Sequence, residues 1–272
     1  MTRYNDKERI RALYDRLSPY YHSLWGEHIH HGYWIRGDET KEQAQVQLIE
    51  HLAQAARILP GSSILDVGCG LGASSIYLAN NYKAEATGIT ISPIQVEMAS
   101  KAASAAEANA KFLLMDAQAM NFNRSFDVVW SIESISHYQN LQAFFASAVR
   151  LLKPGGTLAV IDWFKKEGLN PAETRKFIQP IEKGMLVELR TMEEYKAFLH
   201  SNHLQVSHCE VLNKHSAKSW DISLDIIKKK SFWALAARLG PGMVDHLRSF
   251  RAMKAGFASG NFVYGLLVAK QP

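Results

Sequence analysis

The chain has 272 residues, 47% hydrophobic and 21% charged, with a formal net charge of +5 and two cysteines. These are the proportions of a globular chain long enough to bury a sizeable core, and they exclude a disordered chain, a coiled coil and a disulfide-built scaffold. No run approaches the ~20 uncharged apolar residues that cross a bilayer. The opening MTRYNDKERIRALYDRL has no apolar signal core, so a cytoplasmic location is expected. Cys69 and Cys209 lie far apart without CxxC or Cys/His spacing, which fits a reducing compartment and predicts neither a disulfide nor a zinc site. The basic residues are dispersed apart from Lys228, Lys229 and Lys230, followed by Phe232 and Trp233. That cluster reads as a solvated helix end, with peripheral contact to an anionic or membrane surface as the alternative. No nucleic-acid partner is expected, and oligomeric state is unreadable.

In chain order, residues 5–17 place Ile10, Leu13, Tyr14 and Leu17 at helical spacing, and 41–59 repeat the pattern with Val46, Ile49, Leu52 and Ala56. Two helices therefore precede the core. At Pro60-Gly61 the texture changes to SSILDV, a short β-branched run ending in glycines, followed by an alanine-rich helix to about Asn80. Strand-like ATGIT, a helix from Pro93, strand-like KFLLM and FDVVWSI, a helix over Leu141 to Leu152 and strand-like TLAVI follow. Strands alternating with helices predict an α/β, doubly wound parallel sheet, whose ligands bind at the carboxyl ends of the strands. After Ile161 the alternation breaks, and Asp162 to about Arg190 reads as an irregular or helical insertion. A helix near Met192 to His200, a strand near Leu204 to Leu212, a helical stretch from Trp220 to Gly256 broken at Gly240-Pro241-Gly242, and a final strand FVYGLLVAK complete the chain. The expected organisation is one domain: a helical cap over 1–59, a cofactor-binding core over 60–162, and lid or acceptor segments over 163–190 and 213–257.

The strongest local signal is Asp66-Val67-Gly68-Cys69-Gly70-Leu71-Gly72, at a strand end and opening a helix. Glycines there let backbone approach a ligand closely, and the helix start offers unpaired N–H groups. Gly68, Gly70 and Ala73 also satisfy the dinucleotide pattern GxGxxA. Two details demote that reading. Asp66 sits inside the turn, poorly placed beside a pyrophosphate, and the second strand ends in Gly88-Ile89-Thr90-Ile91-Ser92 without the carboxylate that holds an NAD ribose.

LDVGCGLG, then GITISPIQ, MDA at 115–117, FDVVWSIES at 126–134 and LLKPGGTLAVID at 151–162 resemble the ordered motifs of Rossmann-like S-adenosylmethionine-dependent methyltransferases. More narrowly, Trp25-Gly26-Glu27-His28-Ile29-His30-His31-Gly32-Tyr33-Trp34, with GITISPIQ and WSIES, resembles the tocopherol O-methyltransferase type, a group of small-molecule and natural-product O-, N- and C-methyltransferases. The similarity extends over nearly the whole chain, including SWD at 219–221 and the end GNFVYGLLVAK. It implies that Asp66, Gly68, Cys69, Gly70 and Gly72 form the loop around the methionine part of the cofactor, and that Asp116 and Ala117 lie beside the adenine. It implies ribose contacts from Thr90, Ile91 and Gln95, where many methyltransferases use an acidic residue. Ile132 and Glu133 would line the methyl side.

Methyl transfer asks mainly for alignment and exclusion of water, because the sulfonium is already an electrophile. A base matters only when the acceptor must lose a proton. The candidates are His137, after the fourth strand, and Asp162, at the end of the fifth; the resemblance implies a histidine at the first place and an acid at the second. The chain departs from its relatives at Ser136-His137-Tyr138, where many read His-Met-Pro or His-His. Capping duty is the bland alternative for His137, and a solvated strand end for Asp162.

Tyr14, Tyr33 and Trp34 could close over the sulfonium as an aromatic-cation contact, or simply pack the N-terminal helices. Phe164, Phe177, Trp220, Phe232 and Trp233 are candidates for an apolar acceptor pocket. His28 and His30, read on one face of a strand beside Glu27, fit a cofactor-covering segment better than a metal site. The expected function is methyl transfer from S-adenosylmethionine to an O, N or C atom of a small, largely apolar acceptor. A nucleic-acid methyltransferase and a non-catalytic cofactor-binding protein are the rivals. The first usually carries Asn/Asp-Pro-Pro-Tyr where this chain has SIES.

Overall fold

A computed structural model describes residues 5–228, 232–233 and 242–272. Lys229 and Lys230, and the break at Gly240-Pro241, lie outside the described residues.

Helix α1 (Lys7–Trp25) and helix α2 (Lys41–Ala56) precede the sheet, α2 opened by a reciprocal Thr40/Gln43 cap. The core then alternates as the spacing predicts: β1 (Ser63–Val67), α3 (Ala73–Tyr82), β2 (Glu85–Thr90), α4 (Pro93–Ala105), β3 (Ala110–Leu114), β4 (Phe126–Ile132), α5 (Leu141–Leu151) and β5 (Leu152–Lys165). Short helices α6 (Pro171–Glu173) and α7 (Gln179–Met185) follow, then α8 (Met192–Ser201), β6 (Gln205–Val211), α9 (Asn213–Ser216), α10 (Lys218–Lys228), α11 (Gly242–Ser259) and β7 (Phe262–Lys270).

The seven strands run in the order β3-β2-β1-β4-β5-β7-β6. β1 to β5 are mutually parallel, and β7 inserts antiparallel between β5 and β6. All five residues of β1 are buried, as expected of a parallel strand covered on both faces. The strand order reverses at β1 and β4, which opens a crevice beyond their carboxyl ends.

Two departures from the sequence reading matter for the site. Strand β5 does not stop at Ile161, because pairing with β7 carries it on to Lys165, whereas its parallel neighbour β4 leaves it at Ile132 opposite Ile161. Asp162 is therefore inside a strand, opposite Gly265, and not at a strand end. Second, the segment around His28 and His30 is irregular and not a strand.

The sheet separates two apolar layers. Trp130, Ile132, Ile161, Trp163, Tyr264 and Leu266 pack with α2 and Trp220 on one side. Phe126, Val129, Val160, Phe164 and Leu267 pack with α5 and Tyr195 on the other. Alternation along β5 thus sends Trp163 to the first layer and its neighbour Phe164 to the second.

Candidate active site

A deep cavity opens at the crevice, with one wall formed by strand-end loops and the opposite wall by α10, α11 and the irregular segment before α2. The loop after β1 is drawn tight by Gly68 N–H and Cys69 N–H, which both donate to the Ile89 carbonyl at 2.9 and 3.0 Å. Gly68 has φ 75°, and a Cβ there would lie 1.8 Å from Ser134 Oγ, so only glycine lets the ends of β1 and β4 meet this closely. Cys69, Gly70 and Leu71 continue the wall. Gly72 does not line the cavity; it begins α3 at φ 80°, and its missing side chain makes room for the Phe112 ring and Ala99.

Asp66 lines the cavity and accepts from Ser75 Oγ at 2.6 Å; burial pushes its carboxyl up to about 7. At the end of β2, Thr90 Oγ1 donates to Gln95 Oε1 at 2.6 Å, and Ser92 caps α4 through Gln95 N–H. Thr90, Ile91 and Gln95 all border the cavity. Beyond β3, Asp116 accepts from Gln118 N–H and so caps the turn that begins at Ala117, while its other oxygen meets Lys7 Nζ at 3.1 Å.

Helix α1 spans the cavity mouth through several such ties. Ser92 Oγ donates to Asp15, Asn5 donates to the Tyr138 carbonyl, and Tyr14 reaches His137. His137 ends a short turn after β4 and is buried. Its Nδ1 lies 3.1 Å from the Leu186 carbonyl, which can only accept, so Nδ1 carries the hydrogen. The lone pair is then on Nε2, which accepts from Tyr14 OH at 2.9 Å. Burial pushes His137 down to about 4, so the ring is neutral at physiological pH.

Asp162 is fully buried and does not line the cavity. Its oxygens accept from Ser136 N–H, Ser136 Oγ, Trp163 N–H and Tyr195 OH at 2.8 to 3.0 Å. Burial raises it to about 7 against the pull of those donors. The expected role as a base facing the acceptor is therefore corrected: Asp162 pins the turn that carries His137. The residue that reaches the cavity from this stretch is Trp163.

Glu133, at the end of β4, takes the left-handed conformation with φ 52°, the kind of local strain that clusters at functional sites. Its Oε1 accepts from His31 N–H at 2.7 Å, from His31 Nδ1 at 2.8 Å and from Tyr264 OH at 2.6 Å. Burial alone would raise this carboxyl, but His31 holds it below its ordinary value. The pairing ties the segment before α2 onto the end of β4. Ile132 and Glu133 both line the cavity.

Several aromatic expectations are redistributed. Tyr14 lines the cavity, but Tyr33 does not: its ring is stacked between His51 and His215 at 4.4 and 4.5 Å, on the outer side of the segment. Trp34 is held away by its own hydrogen bond to the Glu39 carbonyl. Trp220 and Phe232 reach the cavity, whereas Phe164 packs on Tyr195, Phe177 joins the α2-side layer without lining the cavity, and Trp233 is exposed. His28 and His30 line the cavity with their rings 5.2 Å apart, and burial lowers both. Sequence reasoning missed Trp163, Met185, Ile226, Ile227 and Phe250 as lining residues. Only strand alternation at Trp163 offered a local signal for any of them.

The reversed parallel sheet, the glycine loop and the acidic cavity wall define a Rossmann-like S-adenosylmethionine-dependent methyltransferase, and the comparisons agree. Residues 2–234 match the mycolic acid cyclopropane synthetase family, and the chain belongs to it. It is 34% identical over 213 residues to the 27-O-demethylrifamycin SV methyltransferase of Amycolatopsis mediterranei, covering 76% of this chain and 77% of the relative. It is 28% identical over 293 residues to the chloroplastic tocopherol O-methyltransferase of Arabidopsis thaliana, covering 98% and 82%. Among solved structures, a mycolic acid cyclopropane synthase in complex with SAH and CTAB shares the fold with TM-score 0.86 at 22% identity, covering 97% of both chains. The chain is thus a methyltransferase that uses S-adenosylmethionine. No helix among the described residues is long and apolar enough to cross a membrane.

Proposed function

We propose that the chain methylates a hydroxyl oxygen of a small, otherwise apolar molecule, with His137 Nε2 taking the acceptor's proton. The observation that carries this reading is the His137 turn: a neutral, buried imidazole with Nδ1–H fixed by Leu186 and Nε2 presented to a hydroxyl, here that of Tyr14. In the reaction the acceptor hydroxyl takes the place of Tyr14 OH at Nε2, and the proton passes to that nitrogen. Leu186 keeps the ring in place throughout, and Asp162 holds the turn through Ser136.

The donor set suits the cofactor. Asp66, Asp116 and Glu133 give the cavity an acidic lining that attracts a sulfonium and an ammonium. In this reading Asp66, Gly68, Cys69 and Gly70 surround the methionine part, Thr90, Ile91 and Gln95 the ribose, and Asp116 with Ala117 the adenine. Ile132 and Glu133 border the methyl. S-adenosylmethionine, when bound, supplies a methyl group that is already electrophilic, which leaves the chain to align the acceptor, exclude water and accept one proton. Helix α1 excludes water by lying across the mouth.

The apolar wall of Leu17, Met185, Ile226, Ile227, Phe232 and Phe250 suits a hydrocarbon-rich acceptor. Relatives named for methylation of demethylrifamycin SV and tocopherol support a hydroxyl as the acceptor group. We read the whole as one domain, with 1–59 as a cap and 163–190 and 213–257 as the acceptor side, and a cytoplasmic location fits the two free cysteines. The test is incubation with labelled S-adenosylmethionine and three acceptor panels: alkylphenols, amines and prenylated hydrocarbons. Label appearing in an aryl methyl ether is the expected outcome. Label appearing only in amines or at carbon contradicts the reading.

A further inference from the structure

The cavity has a second polar feature that the His137 reading does not use. His31, Trp163 and Trp220 all line it, and their rings form one cluster, with His31 centroids 5.9 Å from Trp163 and 4.4 Å from Trp220. Each carries a buried ring nitrogen without a hydrogen-bond partner among the described residues: His31 Nε2, Trp163 Nε1 and Trp220 Nε1. Buried N–H groups in folded proteins are almost always paired, so three orphaned nitrogens on one stretch of cavity wall call for a ligand atom.

The hydrogen inventory says which atom. Indole Nε1–H only donates. Glu133 Oε1 takes His31 Nδ1–H and is itself anchored by Tyr264 OH, so the ring is oriented and Nε2 is its remaining polar atom. An oxygen answers all three. It accepts from the two indoles, and it donates to a bare Nε2 as a hydroxyl or accepts from a protonated Nε2 as an oxyanion. An ammonium cannot accept from the indoles, and a hydrocarbon leaves all three orphaned.

We infer that His31, Trp163 and Trp220 form an oxygen-binding subsite, oriented by Glu133, which selects acceptors carrying a hydroxyl on an aromatic ring. The aromatic preference follows from the walls, which are ring edges and faces, and from the acidity of a phenol, close to that of tyrosine. The inference rests on the methyltransferase reading and deepens it: the acceptor is chosen by its oxygen as well as by its apolar bulk. Trp130 supplies an internal control, because its Nε1 is also orphaned but the residue does not line the cavity.

The test is binding, without turnover. The full chain loaded with S-adenosylhomocysteine is titrated with 4-butylphenol and with butylbenzene, following heat and the indole N–H resonances. The phenol is expected to bind at least about tenfold tighter than the hydrocarbon. The Trp163 and Trp220 resonances should move while that of Trp130 stays. In Trp220→Phe and, separately, Trp163→Phe the preference should shrink to about threefold or less. Because both probes meet the same altered packing, a merely structural effect of either substitution leaves their ratio intact.

Equal affinity for the two probes overturns the subsite, as does a preference that survives both substitutions. Phenol binding that leaves the two indoles unmoved also overturns it, and points to a bound water as their partner. If neither probe binds to the loaded protein, the subsite fails as well. If the chain fails to take up S-adenosylhomocysteine at all, the methyltransferase reading falls first; if it does take it up, that reading stands whatever becomes of the subsite.

Discussion

The two walls of the cavity are made in different ways. Around Gly68 the wall is backbone: the loop is fixed by two N–H groups on one carbonyl and by a glycine whose absent side chain lets Ser134 approach. Around Trp220 the wall is side chain, contributed by α10, α11 and the segment before α2, and tied together by His31 on Glu133 and by ring contacts. A backbone wall tolerates almost no substitution but recognises whatever every relative binds. A side-chain wall can be rebuilt residue by residue, so it is where acceptor choice can diverge while the cofactor stays the same.

The largest expected effect sits on the backbone wall. Gly68→Ala forces a Cβ into Ser134 at a left-handed residue, and should lower S-adenosylmethionine affinity at least about a hundredfold and stability by roughly 2–5 kcal/mol. Calorimetric titration and thermal unfolding measure both. Adding Ser134→Gly should recover part of the loss; no recovery would show that the conformation, and not the clash, dominates.

The next effect concerns protons. Burial holds His137 at about 4, below its ordinary 6.5. Between those two values the unfolded chain takes up a proton that the folded chain refuses, so this ring's contribution to stability is intact above pH 6.5 and is lost on acidification towards 4. The full effect is about 3 kcal/mol. Asp66 and Asp162, raised to about 7 by burial, act with the opposite sign over the same range. The difference in unfolding free energy between the wild type and His137→Gln therefore isolates the imidazole. It should shift in favour of the variant as pH falls from 7 to 4, and the His137 ring resonance should titrate near 4.

Asp162→Asn keeps the shape but puts a donor where Ser136 N–H or Ser136 Oγ must donate. A fall of about tenfold in kcat with KM for S-adenosylmethionine within about twofold is expected, as for a residue that acts through the turn. Tyr195→Phe, which removes one donor from the same carboxyl, should move in the same direction by less. At the small end, Tyr33→Phe should change cofactor affinity less than about twofold, since that ring stacks between two histidines away from the cavity. A larger change would mean that the segment before α2 moves when cofactor binds.

The backbone wall was largely legible in the sequence. Asp66 to Gly72, Thr90 to Gln95, Asp116 and Ile132 to His137 each follow a strand, and short parallel strands announce themselves by apolar runs ended with glycine or a cap. Strand alternation also predicts two faces for β5, yet its length was misjudged because β7, a hundred residues later, extends it beyond β4. That misplacement turned a buried anchor, Asp162, into a candidate base and concealed Trp163. The side-chain wall was hardly legible at all. Trp220 and Phe250 are ordinary helix residues until the fold brings them opposite His31, and the His31–Glu133 pair joins positions 102 residues apart with no local pattern. Tyr33 shows the reverse: a motif-like aromatic next to the site that faces outwards.

The most direct test of the account is the single-turnover rate of methyl transfer to an alkylphenol by His137→Ala, with both ligands at saturation. The account predicts a fall of roughly a hundredfold to ten-thousandfold, with S-adenosylmethionine and acceptor affinities within about threefold of wild type. A variant that transfers methyl at the wild-type rate would contradict it, and would leave His137 as a ring that only shapes the cavity.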